Sequence, residues 1–168
     1  LDACEVIAKH RLENKKILLT VSRLDDYKGH DMVIRALPEI IAEVPSLVYL
    51  IVGSGPNEKN LKMLVRSLKL HNTVQFLGTV ENKLLPLYYN ACDIFIMVSR
   101  EIYDEAKVEG FGLVFLEAGA CGKPVIAGRS GGISDAVIDG VTGILVDPLN
   151  SEQIHNAIAR LLADKNYA

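Results

Sequence analysis

Short apolar runs alternate with longer amphipathic stretches along this chain, and this alternation constrains its fold more than any other feature. Several runs are apolar throughout, as in parallel strands that helices cover on both faces. The stretches between them have apolar residues at helical spacing, such as Ile154, Ile158 and Leu161. Repeated strand and helix units with right-handed crossovers predict an α/β fold with a doubly wound parallel sheet. The predicted strands are 17–21, 47–52, 73–77, 94–98, 124–127 and 144–146, and the predicted helices are 31–43, 57–70, 81–91, 112–121, 133–139 and 151–163.

The chain is long enough for one domain with a sizeable core, since it has 168 residues of which 49% are hydrophobic. We expect this domain to span residues 16–168 and residues 1–15 to form a linker or a peripheral segment. The 18 basic and 21 acidic residues give a net charge of -3, so no global field favours nucleic acid. Any anion site must therefore be local.

The three cysteines, Cys4, Cys92 and Cys121, are far apart and form no CxxC pair. This pattern argues against a disulfide framework and against a zinc site, and it fits a reducing compartment. No apolar run approaches the roughly 20 residues that span a bilayer, and the first residues lack the apolar core of a signal peptide. These features predict a cytoplasmic location.

Ligands of doubly wound sheets bind at the carboxyl ends of the strands, so the loops that leave the strands are the candidate site. The first such loop holds Arg23 and Lys28, five residues apart, ahead of a helix. A guanidinium, an ammonium and the free N–H groups of a helix N-terminus suit a diphosphate. The spacing fits equally a solvated loop whose charges pair with Asp25 and Asp26. His30, which follows, could contact phosphate or cap the helix.

The loop after the second predicted strand contains Gly53 and Gly55, where glycine lets a ligand approach the backbone closely. A dinucleotide fingerprint would need a third glycine at position 58 and an acidic residue about 20 positions further on. Glu58 and Thr73 stand at these places, which disfavours a dehydrogenase. By itself the pattern is also typical of a tight strand-to-helix turn.

The most informative segment is 108–118, in which Glu109 and Glu117 bracket a glycine-rich turn and the start of a helix. The free N–H groups from Phe111 to Val114 and the helix dipole predict a seat for a phosphate. A sugar nucleotide has a matching shape, because hydroxyl groups flank its diphosphate and carboxylates accept from hydroxyls. A surface acid followed by an ordinary helical carboxylate would give the same spacing.

Several segments, taken in order, resemble the C-terminal, nucleotide-sugar-binding domain of family-4 glycosyltransferases, which are retaining enzymes with the GT-B fold. Glu109 and Glu117 match the E-x7-E pattern of that family. The resemblance implies a Rossmann-like domain, the C-terminal half of a GT-B fold. It runs from about residue 16 to the end and is carried by SRLDDYKG at 22–29, GSGP at 53–56, VQFLGTV at 74–80, EGFGLVFLEAGACGKPVIA at 109–127, SGG at 130–132 and DGVTGILVDP at 139–148.

The resemblance also implies roles for the matching residues. Arg23 and Lys28 would bind the diphosphate and stabilise its growing charge, and Glu109 would bind hydroxyl groups of the donor sugar. These three are the candidate catalytic residues, and Glu117 would accept hydrogen bonds from the ribose. No cofactor and no metal are implied, because the two cations and the helix N-terminus would supply the countercharge. The candidate substrate-binding residues are Gly53, Gly55, Phe111, Gly112, Leu113 and Glu117.

The implied function is transfer of a hexose, with retention of configuration, from a GDP- or UDP-linked donor to an acceptor hydroxyl. The loop at 100–108 is longer than in many relatives and is similar to that of GDP-mannose-using enzymes such as phosphatidylinositol mannosyltransferases, which makes mannose a candidate. The segment at 131–135 departs from the usual GGxPE, so no contact is assigned to Ser134 or Asp135.

GT-B enzymes have two Rossmann-like domains with the active site between them, whereas this sequence predicts one. We expect an absent N-terminal domain to bind an acceptor sugar or glycolipid, and the isolated domain to transfer little or no sugar. The full-length protein could associate peripherally with a membrane. Two alternatives share the architecture, a non-hydrolysing sugar-nucleotide epimerase and a nucleotide-binding module without catalysis. Proximity of Arg23, Lys28, Glu109 and Glu117 would argue against the non-catalytic module.

Overall fold

The computed structural model describes residues 3–102 and 107–163. Within them, six parallel strands form one sheet in the order β3-β2-β1-β4-β5-β6. The strands are β1 Lys16–Val21, β2 Leu47–Val52, β3 Val74–Gly78, β4 Ile94–Met97, β5 Val125–Gly128 and β6 Ile144–Val146. The helices are α1 Cys4–His10, α2 His30–Glu43, α3 Glu58–Ser67, α4 Leu85–Ala91, α5 Leu113–Ala120, α6 Ile133–Ala136 and α7 Ser151–Ala163, with 3-10 turns at Asp26–Lys28 and Asn82–Leu84.

The predicted doubly wound α/β fold is confirmed, and every predicted strand and helix is present. Three predicted helices are too long, and the first of them, 57–70, corresponds to α3, which ends at Ser67. The predicted helix 133–139 corresponds to α6, which ends at Ala136. The backbone becomes extended at the next residue, Val137. The stretch 81–91 divides into a 3-10 turn and α4, which has Pro86 in its first turn, where the missing N–H donor is least costly.

Helices cover both faces of the sheet, and each face has its own apolar core. Alternate side chains of a strand point to opposite faces, so Leu18 of β1 lies in one core and Leu19 in the other. The first core is closed by α2, α3 and α7. The second is closed by α1, α4, α5 and α6, which contribute Val6, Tyr89, Phe115 and Ile133 among others.

The strand order reverses between β1 and β4, since β2 and β3 extend the sheet on one side and β5 and β6 on the other. A crevice opens at such a point beyond the carboxyl ends of the strands, and ligands bind there. The loop after β1, residues 22–29, and the described parts of the loop after β4, residues 98–102 and 107–112, flank this crevice. They are the loops that contain Arg23, Lys28 and Glu109. Among the helices of the described residues, none has the length and apolar character needed to cross a bilayer.

Candidate functional site

An ion pair joins the two loops at the crevice. Lys28 Nζ lies 2.5 Å from Glu109 Oε2, and the two side chains are mostly buried, with 12% and 11% exposed. Ser99, fully buried just after β4, donates a hydrogen bond of 3.2 Å to the same carboxylate oxygen. Because an unpaired charge would be costly in so buried a place, the two ions stabilise each other.

A pocket of about 370 Å³ lies beside this ion pair, within the size range of small-molecule sites. The end of β1, both loops and the start of α5 form its walls. The structure thus brings five of the nine predicted site residues around one cavity: Lys28, Glu109, Phe111, Gly112 and Leu113. The remaining lining residues are Val21, Ser22, Met97 and Val114.

The start of α5 contributes the positive end of a helix to this pocket. Gly112 precedes the helix with a φ of 75°, in the left-handed region, and a Cβ there would lie 2.6 Å from the Phe115 ring. The first N–H groups of a helix lack acceptors within it and carry its partial positive charge. Because Gly112, Leu113 and Val114 line the pocket, this helix end and the Lys28 ammonium together suit an anion.

Two further ion pairs fasten the loop after β4 to the region after β1. Arg100 Nη1 lies 3.0 Å from Asp31 Oδ1, and Lys107 Nζ lies 3.1 Å from Asp26 Oδ1. These two ion pairs therefore hold the flanking regions together without involving residues that line the pocket. Residues 103–106 lie outside the described residues, so the link between the longer loop and the donor sugar stays a prediction.

Arg23 does not line the pocket. Its side chain is 70% exposed, and its Nε lies 2.8 Å from Asp25 Oδ2. The alternative of a loop with internally paired charges therefore describes Arg23, whereas Lys28 has its partner on another loop. The role of Arg23 in binding a diphosphate stays a prediction.

Gly53 and Gly55 contact the loop after β1, and neither lines the pocket. A Cβ at Gly53, where φ is 129°, would overlap the carbonyl oxygen of Ser22, and one at Gly55 would overlap that of Leu24. Glycine is therefore needed here for the close approach of two loops. Contact of these glycines with a nucleoside stays a prediction.

Glu117 lies on α5 four residues beyond Leu113, so it shares a helix face with this pocket residue about 6 Å further along the axis. Glu117 is an exposed residue, and its Oε2 accepts a hydrogen bond of 2.6 Å from the hydroxyl group of Tyr89. The predicted contact of Glu117 with a ribose would extend the site along α5.

His30 is the first residue of α2 and is 1% exposed. Its Nε2 lies 3.0 Å from Ser22 Oγ, and no side-chain hydrogen bond caps the helix, so the capping interpretation is wrong. Burial lowers the pKa of His30 to about 4, with the nearby Lys28 and Arg100 lowering it and Asp31 opposing. The ring is therefore neutral near pH 7 and supports a pocket residue, Ser22.

Sequence reasoning missed Ser99 and Tyr89. Ser99 could have been found, because it is a polar residue directly after an apolar strand at the point where the strand order reverses. Tyr89 gave no such signal, because it lies on α4 and is 28 residues from Glu117 in sequence. Only packing brings the two side chains together.

A second, larger cavity of about 520 Å³ lies at the opposite edge of the sheet. Its lining includes the residues at the amino ends of β5 and β6, among them Pro124 and Gly143, and the last turn of α5. Ligands of doubly wound sheets bind at the carboxyl ends, so the smaller pocket is the candidate site.

The strand order, the helices on both faces of the sheet and the pocket at the point of reversal define a Rossmann-like domain. The model of the family described as glycosyl transferases group 1 matches residues 4–168. The chain belongs to this family.

Similar proteins agree with this assignment. Over 160 residues the chain is 40% identical to a GDP-mannose-dependent alpha-(1-6)-phosphatidylinositol monomannoside mannosyltransferase of Mycolicibacterium smegmatis, covering 95% of this chain and 42% of that protein. A Corynebacterium glutamicum relative, a GDP-mannose-dependent monoacylated alpha-(1-6)-phosphatidylinositol monomannoside mannosyltransferase, is 41% identical over 143 residues, which are 85% of this chain and 37% of the relative. The chain therefore spans less than half the length of these relatives.

A solved structure has the same fold. HepE of Anabaena, in complex with UDP and glucose, superposes with a TM-score of 0.88 at 30% identity, covering 99% of this chain and 44% of that one. The predicted assignment to the GT-B glycosyltransferases and the predicted Rossmann-like fold are thereby confirmed.

Proposed function

We propose that this chain is the donor-binding domain of a retaining glycosyltransferase that moves a hexose from a nucleoside-diphosphate sugar to an acceptor hydroxyl. The observation that carries the proposal is the mostly buried Lys28, held beside the N-terminus of α5 where the strand order reverses. A diphosphate is the part of a sugar nucleotide that needs such a cationic seat.

The Lys28–Glu109 ion pair suggests how the donor enters. A phosphate oxygen takes the place of Glu109 as the partner of Lys28, and the released carboxylate then accepts hydrogen bonds from the sugar hydroxyls. Ser99 keeps Glu109 close to its present position during this exchange. Since both ions keep a partner throughout, neither is left buried and unpaired.

Bond cleavage leaves negative charge on the departing nucleoside diphosphate. Lys28 and the N-terminus of α5 stabilise this charge, and they are in place before the reaction begins. Arg23 joins them if it exchanges Asp25 for a phosphate. The acceptor hydroxyl attacks the face that the leaving group vacates, which retains configuration, and gives its proton to a phosphate oxygen of the departing nucleoside diphosphate. In this mechanism Glu109 positions the sugar and does not act as a glycosidase acid, and neither a metal nor a cofactor takes part.

The relatives support our proposal for the donor. Mannosyltransferases that are named for GDP-mannose favour GDP-mannose, whereas the UDP of HepE keeps a UDP-sugar as the second candidate. The acceptor is a sugar or glycolipid that a second domain of the full-length protein binds. That protein works in the cytoplasm and is able to associate peripherally with a membrane. The domain alone transfers little or no sugar.

Calorimetric titration of this chain with GDP, UDP and ADP and with their sugar conjugates tests the proposal. We expect saturable binding of the nucleotides that carry one of the three bases, with a Kd of about 10 µM to 1 mM. The affinity is modest because this chain would form only part of the cleft and would bury only part of the ligand. ADP provides the matched control for the diphosphate without the preferred base. Absence of saturable binding for every nucleotide would overturn the proposal. Product analysis with the full-length protein separates sugar transfer from epimerisation.

A further inference from the structure

We propose that Tyr89 is a positioning residue for ribose recognition, acting through the carboxylate of Glu117. The inference rests on the proposed function, because it assumes that the site takes a nucleotide. It assigns a purpose to a buried hydroxyl group that neither the ion pair nor the pocket uses.

The hydroxyl group of Tyr89 donates a hydrogen bond to the carboxylate of Glu117. Tyr89 is 2% exposed, and its hydroxyl donates a hydrogen bond of 2.6 Å to Glu117 Oε2. Burial raises the pKa of Tyr89 far above its usual value, and the hydrogen bond to Glu117 raises it further. The phenol is therefore protonated near neutral pH, and a short bond from a neutral donor to a carboxylate is strong.

Aromatic packing fixes the direction of this hydroxyl group. The Tyr89 ring lies 5.7 Å from the Phe95 ring, and the Phe95 ring meets that of Phe115 edge to face at 5.8 Å. Phe95 belongs to β4, and Phe115 stands on α5 two residues before Glu117. The donor and the helix that carries its acceptor are thus tied to the same core, so the hydroxyl group defines where Glu117 Oε2 lies.

This contact prepares a flexible side chain for a ligand. An exposed glutamate such as Glu117 has several rotamers, and ordering it on binding reduces affinity. With Oε2 held by Tyr89, the other oxygen, Oε1, has no hydrogen-bond donor within residues 3–102 and 107–163. It stands about one helical turn beyond the anion pocket, where the ribose hydroxyls of a bound nucleotide would be.

The substitution Tyr89→Phe tests the inference, because it removes the hydroxyl group and keeps the ring. Binding of GDP and UDP is compared with binding of their 2′,3′-dideoxy forms by calorimetry. We expect Tyr89→Phe to bind the ribonucleotide about three- to tenfold more weakly and the dideoxy form as well as the unchanged chain does. Tyr88→Phe is the matched control, since the Tyr88 hydroxyl contacts His10 Nε2 instead, at 3.1 Å.

Several outcomes overturn the inference. If the unchanged chain binds nucleotides and Tyr89→Phe keeps the same preference for ribose, the inference fails and the proposed function stands. An equal loss for ribose and dideoxy forms indicates a merely structural role and also refutes it. If no nucleotide binds the unchanged chain, the proposed function fails and takes the inference with it.

A second comparison tests whether Tyr89 acts through Glu117. It remains informative if Tyr89→Phe alone lowers the stability of the fold. In a Glu117→Ala background the Tyr89 hydroxyl has no carboxylate to hold, so adding Tyr89→Phe should leave the ribose preference unchanged. A further fall in that preference would show that Tyr89 does not act through Glu117. Melting temperatures of all variants, measured by thermal unfolding, separate folding from recognition.

Discussion

Two cavities among the described residues lie at opposite ends of one helix, α5. α5 begins at the smaller pocket, of about 370 Å³, and its last turn lines the larger one, of about 520 Å³. The first pocket therefore faces the positive end of the helix dipole and the second faces the negative end. The larger cavity is therefore less favourable for an anionic ligand than the smaller pocket. The direction of the strands and of α5, rather than cavity size, decides which cavity attracts a phosphate.

A lysine lines each cavity, and replacing each in turn tests this comparison most directly. We expect Lys28→Ala to weaken binding of GDP or UDP to the chain by about 10- to 100-fold, because a charge-assisted contact is lost. In the full-length enzyme, kcat/KM should fall about 30- to 1,000-fold, which corresponds to a loss of about 2 to 4 kcal/mol of transition-state stabilisation. Lys123→Ala, at the other cavity, should change nucleotide binding less than twofold, about 0.4 kcal/mol. Calorimetry and steady-state kinetics measure both.

Equal effects of the two lysine substitutions would contradict the assignment of the site. Lys28→Ala also leaves Glu109 without its partner, which destabilises the fold. A double variant, Lys28→Met with Glu109→Gln, removes both charges and should recover stability without recovering nucleotide binding.

The burial of His30, near the carboxyl ends of the strands, is tested by the pH dependence of stability. Because the pKa of His30 is lowered to about 4, the unfolded chain takes up a proton below about pH 6.5 that the folded chain does not. This difference reduces the free energy of unfolding by about 2 kcal/mol between pH 7 and pH 5. Chemical denaturation of His30→Asn should show a decrease in the free energy of unfolding between pH 7 and pH 5 that is smaller, by about this amount, than in the unchanged chain. His71→Asn, at an exposed position, should keep the pH dependence of the unchanged chain.

Two glycines with nearly the same backbone angle give the smallest expected difference between the regions. Gly112 has a φ of 75° and Gly140, which lines the larger cavity, has a φ of 73°. Alanine strains the backbone at both, but only at Gly112 does it press on a side chain, Phe115. We expect Gly112→Ala to cost about 1 kcal/mol more than Gly140→Ala in the free energy of unfolding. Denaturant titration that finds Gly140→Ala the costlier change would contradict this packing.

Much of the site could be predicted because it follows from the position of residues relative to strand ends. Lys28, Glu109 and Gly112 stand in loops after apolar strands, and in a parallel sheet such loops meet at one edge. The positions of Arg23, Gly53 and Gly55 relative to the pocket could not be predicted in this way. A loop residue near the right strand end either points into the crevice or packs against its neighbours, and the sequence does not distinguish the two.

The sequence by itself determined the alternation of strands and helices, the parallel sheet and the chemical groups available at its carboxyl edge, because burial and helical periodicity are written in neighbouring residues. Only the tertiary structure decided the partner of each group. Lys28 and Glu109 are 81 residues apart, and Tyr89 and Glu117 are 28 apart. Such pairs depend on how loops and helices pack across the sheet, and that packing is a property of the whole chain rather than of any segment.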